Sequence, residues 1–200
     1  MLSKGWSRFL LKTGRHRMER IATLARNRAM PLLYCHLPTP LGEMLAIASG
    51  QGLCLLEFVG QNGVGREQVQ VEAARGGPAR EGMNAILEQT RAELAEYFAG
   101  RRRAFGVPLD LVGTPFQNDA WQALRAIPYG QTRSYASQAR AIGRPTATRA
   151  VAAANGQNKV SIIVPCHRVI GSDGSLTGFG GGLPRKRALL ALESGQGRLV

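Results

Sequence analysis

Apolar and polar positions alternate along residues 31 to 62, and from residue 83 onward the apolar ones recur every three or four positions. In the first stretch the runs Leu32 to Leu37, Met44 to Ala48 and Leu53 to Val59 are separated by Pro38-Thr39-Pro40-Leu41-Gly42 and Ser49-Gly50-Gln51-Gly52. Both separators have turn chemistry, so the pattern predicts a three-stranded antiparallel meander. Gln61 to Gly82 has no period and reads as a loop with a short helix. From Met83 to Phe98 the spacing of Ile86, Leu87, Leu94 and Phe98 predicts a helix, with Gly100 placed for a left-handed cap.

The second half carries sharper punctuation. Thr114-Pro115 is an N-cap followed by Pro at the first helical position; Phe116, Ala120, Trp121, Leu124 and Ile127 then line one face until Pro128 stops the helix. Ser134 can cap a helix Tyr135 to Ile142 ending at Gly143, and Thr146 a further helix Ala147 to Ala154. Joined by Gly143-Arg144-Pro145, the two read as a helix-turn-helix. The last helix holds five alanines and, among long charged side chains, only Arg149. That composition fits either a helix that approaches a nucleic-acid groove closely or a buried Ala-rich helix with Arg149 at its rim.

Val160, Ile162, Ile163 and Val164 are a short apolar run with strand propensity that Pro165 terminates, so Cys166 is expected to emerge where a sheet ends, with His167 beside it. A lone Cys in an apolar run is ordinarily a small buried hydrophobe. Pro before it and His-Arg after it reverse that reading, because an adjacent imidazole that draws the thiol proton raises the thiolate fraction. Downstream, Gly171-Ser172-Asp173-Gly174 reads as a turn, 177–182 as a glycine-rich loop, and Pro184 to Glu193 as a closing helix with Leu189, Leu190 and Leu192 inward.

Pro165-Cys166-His167-Arg168-Val169 resembles the active-site signature of the O6-alkylguanine-DNA alkyltransferases, also called methylated-DNA-protein-cysteine methyltransferases, and the resemblance extends over about 31–198. It implies a mixed α/β (α+β) fold: a small ribonuclease-H-like N-terminal domain, 31–105, followed by a winged-helix-like helix-turn-helix domain, 106–200, that binds DNA and accepts the alkyl group. It implies that Cys166 takes a methyl or larger alkyl group from O6-alkylguanine, and from O4-alkylthymine, in a single turnover. His167 would accept the thiol proton through a bridging water, and Glu193 would orient and charge the imidazole. By the same resemblance Tyr135 serves the guanine ring nitrogen N3 and Asn158 braces the active-site turn. The carbonyls of Cys166 and Val169 hold the guanine amino group, and Phe179 and Gly180 line the substrate pocket, the Gly180 amide approaching O6. Arg149 fills the place of a flipped base, and Ser134, Thr148, Ala150 and Arg168 contact DNA. Some relatives hold zinc in the N-terminal domain; Ser49 and Cys54 stand where ligands would fall, so no metal is expected, and no cofactor. Cys35, Cys54 and His36 are then ordinary strand or core residues.

Charge and cysteine usage agree with that picture. The net charge of +13 divides as +7 over residues 1–30, −1 over 31–105 and +7 over 106–200, so the last half is the expected polyanion surface. Three cysteines without a Cys-x-x-Cys pair argue against a disulfide framework and a zinc ribbon. A reducing, cytoplasmic setting follows, and no apolar run approaches the ~18 residues of a membrane span. The partner expected is double-stranded alkylated DNA, bound by a monomer. Residues 1–30 read as a disordered basic tail, or as an over-long frame whose start is Met18 or Met30; a secretory signal is not evident. A Cys-His hydrolase would use the same pair but gives no reason for a helix-turn-helix. Alkyltransferase-like lesion binders lack the Cys.

Overall fold

The computed structural model describes residues 31–195; the basic segment 1–30 lies outside them, as do 196–200. The expected meander is present. Strands β1 (Leu33–Leu37), β2 (Met44–Ala48) and β3 (Leu53–Phe58) pair antiparallel in sequence order, and a two-residue strand, β4 (Arg80–Glu81), adds in parallel beside β1. All five residues of β2 are buried, because the sheet is covered on both faces. Met44, Ala46 and Ala48 meet Leu87, Leu94, Tyr97 and Phe98 of helix α2 (Ala85–Phe98) on one side. Leu45 and Ile47 meet Val71 of helix α1 (Val64–Arg75) on the other. Helix α1 runs twelve residues where the sequence suggested a loop with a short helix. Val71 is its only fully buried side chain, so it leaves no apolar stripe to read.

Strand β3 is an edge of this sheet, and edges left bare invite pairing with other chains. Here later chain covers it. Leu53 donates to the Pro108 carbonyl (2.8 Å) and accepts from the Asp110 amide (3.0 Å), while Leu56 donates to Lys159 (2.7 Å) and accepts from Ser161 (2.8 Å). One apolar core therefore continues from Leu37 through Tyr97, Trp121 and Ile162 to Leu192.

Helix α3 (Pro115–Arg125) starts with the expected Thr114 cap, completed as a reciprocal capping box by Gln117. Strand β5 (Arg133–Ser134) leads into helix α4 (Tyr135–Ala141), where Ser134 accepts from the Ser137 amide; Gly143 follows with φ of +70°. Helix α5 (Thr148–Asn155) begins later than the sequence suggested, and Thr146 does not cap it. A turn closed by the Ala147 amide on the Arg144 carbonyl precedes it. Buried amides lock the three helices together: Gln138 donates to the Ala120 carbonyl (2.9 Å) and to Asn155 Oδ1 (3.0 Å), and Asn155 Nδ2 donates back to Gln138 Oε1 (2.7 Å). The Trp121 indole N–H donates to the Ala154 carbonyl (2.9 Å).

Strand β6 (Val169–Ile170) pairs in parallel with β5, and helix α6 (Leu183–Glu193) closes the described chain. The expected strand before Cys166 is absent. Val160 bridges Leu56, but residues 161–164 coil into a tight turn in which Ile162 has φ of +71°, the one positive value among the described non-glycine residues. A β-branched residue there is a strained outlier, at a cost of roughly 1–3 kcal/mol. The apolar run signalled burial correctly, but burial alone does not distinguish strand from turn.

Candidate active site

Cys166 opens a 3-10 turn, Cys166–Arg168, directly after Pro165. Contrary to the expectation of a thiol presented at a strand end, its side chain is buried, at 8% exposure. Asn158 holds it. The Asn158 amide donates to Sγ at 3.3 Å and to the Val164 carbonyl at 2.8 Å, and its oxygen accepts from the Val160 amide at 3.1 Å. One side chain thus ties the start of the reactive turn to its end and to the sulfur. Burial pushes the Cys166 thiol up to about 11, against the lowering effect of the Asn158 hydrogen bond; the Glu57 carboxylate raises it further and Lys186 lowers it. The sequence pointed to a stored thiolate, whereas the geometry holds a protonated thiol.

His167 is fully buried, and its Nε2 lies 2.9 Å from Glu193 Oε1. Burial lowers its pKa, and the nearby Arg168 and Lys186 charges act the same way, against the pull of Glu193. The imidazole is therefore neutral, so Glu193 orients the ring but does not charge it. Among the described residues its Nδ1 has no hydrogen-bond partner. With the ionised carboxylate accepting from Nε2–H, the tautomer leaves a basic lone pair on Nδ1.

Glu193 sits at the end of α6, where the helix dipole disfavours an acid. Its partners explain it. Oε1 accepts from the Tyr97 hydroxyl (2.8 Å), from His167 and from Arg168 (2.9 Å); Oε2 accepts from Arg168 Nε (2.8 Å) and the Gly130 amide (3.1 Å). Burial by itself would raise this carboxyl, but the hydrogen bonds from His167 and Arg168, with the Arg168 charge, hold it down to about 2. Arg168 is consequently not a DNA contact as expected. It is buried, and its remaining guanidinium nitrogen, Nη1, donates to the Ile127 carbonyl at 2.7 Å.

The loop before α6 closes over the ring. Phe179 stands edge-on to His167 with centroids 6.4 Å apart, and the Tyr135 hydroxyl donates to the Thr177 carbonyl at 3.2 Å. Tyr135 thus has a partner that substrate would have to displace before the hydroxyl could reach N3. The two carbonyls expected to hold a guanine amino group also already accept: that of Cys166 from the Val169 amide, and that of Val169 from Lys186 Nζ at 2.6 Å. A second lone pair on each remains for a ligand. At Gly180 an added Cβ would lie 3.4 Å from Gln61 Nε2.

Lys186 is the residue that the sequence reading missed. It is fully buried and donates to the carbonyls of Val169, Thr177 (2.6 Å) and Gly178 (3.3 Å), fastening the loop to β6. It lies within Arg185-Lys186-Arg187, a basic run of the kind that ordinarily faces solvent. Its helical register with Leu189 and Glu193, three and seven positions on, was the available signal.

Arg149 and Ala150 are exposed on α5, as are Ala152 and Ala153; Thr148 and Ser134 are half-buried. Exposed Arg133, Arg140 and Arg144 join Arg149 on the helix-turn-helix, and no Asp or Glu occurs between Asp119 and Asp173. At the position considered for zinc, Ser49 Oγ donates to Asp110 (2.7 Å), Cys54 is buried, and Arg75 forks onto Asp110.

A buried thiol adjacent in sequence to an imidazole that is paired with an ionised carboxylate, in a chain that also carries a basic helix-turn-helix, is the arrangement of a DNA-binding protein built around one cysteine. The family description "6-O-methylguanine DNA methyltransferase, DNA binding domain" matches residues 115–195, and "6-O-methylguanine DNA methyltransferase, ribonuclease-like domain" matches 32–111. The methylated-DNA-protein-cysteine methyltransferase of Mycobacterium leprae is 43% identical over 166 residues, covering 82% of this chain and 94% of the relative. The constitutive enzyme of that name from Bacillus subtilis is 42% identical over 158 residues, covering 78% and 92%. A crystal structure of Mycobacterium tuberculosis OGT in complex with DNA aligns with a TM-score of 0.70 at 43% identity, covering 82% of this chain and 93% of that one. This chain belongs to the methylated-DNA-protein-cysteine methyltransferase family, and its mixed α+β architecture, ribonuclease-like domain first and DNA-binding domain second, is that of the family.

The buried carboxylate makes stability acid-sensitive. Glu193 ionises at about 2 when folded against an ordinary 4.5, so its contribution is complete above 4.5 and is lost as pH falls from there toward 2; it amounts to roughly 3 kcal/mol. His167, also lowered, acts in the same direction from its ordinary 6.5 downward. Urea unfolding followed against pH is expected to show this loss in the wild type and to show it much reduced in Glu193→Gln.

Proposed function

We propose that this protein repairs alkylated DNA directly, moving a methyl or other alkyl group from O6 of guanine, and from O4 of thymine, onto its own Cys166. The observation that carries the reading is the His167 ring: Nε2 committed to an ionised Glu193, Nδ1 unpartnered, in one turn with a thiol held by Asn158. Nδ1 takes the thiol proton through a bridging water, and the sulfur attacks the alkyl carbon. A carbon–sulfur bond forms as the carbon–oxygen bond breaks, and its electron pair stays on the guanine O6. Tyr135, released from Thr177, gives its hydroxyl proton to N3, so the base leaves as neutral guanine, and the proton that His167 took from the thiol returns to the Tyr135 oxygen through water. The exchange is redox-neutral and needs no cofactor. The thioether is inert, so each molecule acts once.

The thiol is protonated at neutral pH, so reaction depends on substrate seating beside the relay and not on a standing thiolate. Phe179, Gly180 and the carbonyls of Cys166 and Val169 form the base pocket. The chain reads as an N-terminal domain over 31–105 and an acceptor domain over 106–200, working as a monomer in the cytoplasm on duplex DNA. Ser134, Thr148 and Ala150 approach the backbone, the small exposed face of α5 admits close contact, and Arg149 takes the place of the flipped base. Affinity falls with salt and shows little sequence preference.

Duplex DNA labelled in the methyl group of O6-methylguanine tests the transfer. One label per protein on the peptide containing Cys166 is expected, with none on Cys166→Ala, which still binds DNA; label transfer by that variant contradicts the assignment. Arg149→Ala is expected to slow repair of duplex more than of single strands, by about tenfold or more, as a lost replacement for a few kcal/mol of stacking implies. Equal losses on both substrates remove its role in flipping.

A further inference from the structure

Glu57 is a buried acid that the transfer described above does not use. It lies on β3 at 1% exposure, and among the described residues no Lys or Arg forms a salt bridge with it. An unpaired carboxylate in such a place is costly. Its neighbours are Ser161, whose Oγ is 2.9 Å from both carboxyl oxygens, and Gln61, whose Nε2 donates to Oε2 at 2.5 Å. A hydroxyl has one proton and donates fully to one oxygen. Two contacts of equal length are both satisfied when the other carboxyl oxygen carries the acid proton and donates back. Burial, with the Glu67 charge adding to it, raises this carboxyl to about 8 despite the hydrogen bonds from Ser161 and Gln61.

Both partners lead to the reactive site. Ser161 begins the turn that holds Ile162 left-handed: its amide donates to Leu56 (2.8 Å), its carbonyl accepts from Ile163 (2.8 Å), and Cys166 follows five residues on. Gln61 faces Gly180, and the adjacent Phe58 backs Gly181, where an added Cβ would come within 3.0 Å of its ring. We propose that Glu57 is a positioning residue for Cys166: from the covered edge of β3 it clamps the Ser161 end of the reactive turn and, through Gln61, the Gly180 side of the substrate loop. The two walls of the site are thereby fixed to the N-terminal sheet. This inference rests on Cys166 being the alkyl acceptor.

A clamp of this kind leaves a mark on the pH profile. Glu67 of α1 opposes ionisation of Glu57, and Lys159 feels both acids together with Arg66. Toward the reactive turn Glu57 faces Cys166, which Lys186 of α6 also influences. Above about pH 8 an ionised Glu57 raises the Cys166 thiol and so opposes the gain in thiolate that alkali otherwise brings. The folded acid ionises above its ordinary value, so its contribution to stability is complete below 4.5 and is lost as pH rises through 8.

Single-turnover repair of duplex DNA carrying O6-methylguanine is followed in wild type, Glu57→Gln, Glu57→Ala and Ser161→Ala between about pH 6.5 and 9.5, spanning the ordinary thiol range. Glu57→Gln keeps the hydrogen-bonding shape; it is expected to match wild type near neutrality and to run about threefold or more faster at the alkaline end, as removal of one nearby charge requires. It is also expected to melt higher than wild type at that end. Glu57→Ala and Ser161→Ala are expected to slow transfer at neutral pH by about tenfold, the scale of a misplaced reacting group. Ser161→Ala removes the clamp without emptying the core, so it decides the positioning arm even if Glu57→Ala folds poorly. Superimposable profiles for wild type and Glu57→Gln, or full speed in Ser161→Ala, overturn the proposal. Absence of methyl from Cys166 in the wild type is a separate outcome, one that overturns the transfer reading itself.

Discussion

Five hydrogen bonds converge on the Glu193 carboxylate, and most of the site follows from them. Tyr97 comes from the helix under the N-terminal sheet, His167 and Arg168 from the reactive turn, and Gly130 from the turn that precedes the helix-turn-helix. An acid at a helix C-terminus is unfavourable alone; here an arginine fork and a hydroxyl keep it ionised in the interior. Because it is ionised and already balanced by Arg168, it fixes the imidazole without protonating it.

A neutral ring and a protonated thiol suit a protein that is consumed by its reaction. A standing thiolate would react with any electrophile that reached it, and each such event would remove one molecule for good. Burial keeps the sulfur at about 11, while in the proposed mechanism Asn158 and the His167 Nδ1, without a partner among the described residues, supply the means of ionising it when a substrate is seated. Reactivity is thereby conditional on occupancy. The strained Ile162 and the edge of β3 hold the turn in that state, which makes the N-terminal sheet part of the site and more than a neighbour to it.

Much of this was legible in the sequence because local chemistry agreed with tertiary structure. Thr114-Pro115 capped its helix, Ser134 and Gly143 bounded the next, and the meander matched its turns. Where the reading failed, the deciding contact was distant in sequence. The β-branched run before Cys166 coils because the edge of β3 captures 159–161, and Arg168 turns inward because Glu193 lies beneath it. Helix α1 carries one buried side chain and gave no period. Lys186 was hidden between two arginines, and its three carbonyl partners lie on segments that only the fold brings together.

The ionisation state of the relay before any DNA is bound tests the account most directly. Nitrogen NMR of histidine-labelled protein, read alongside carbon NMR of labelled cysteine, reports both groups at once. A neutral His167 carrying its proton on Nε2, with Cys166 protonated at neutral pH and titrating near 11, is the expected result. An imidazolium-thiolate pair at neutral pH would contradict it.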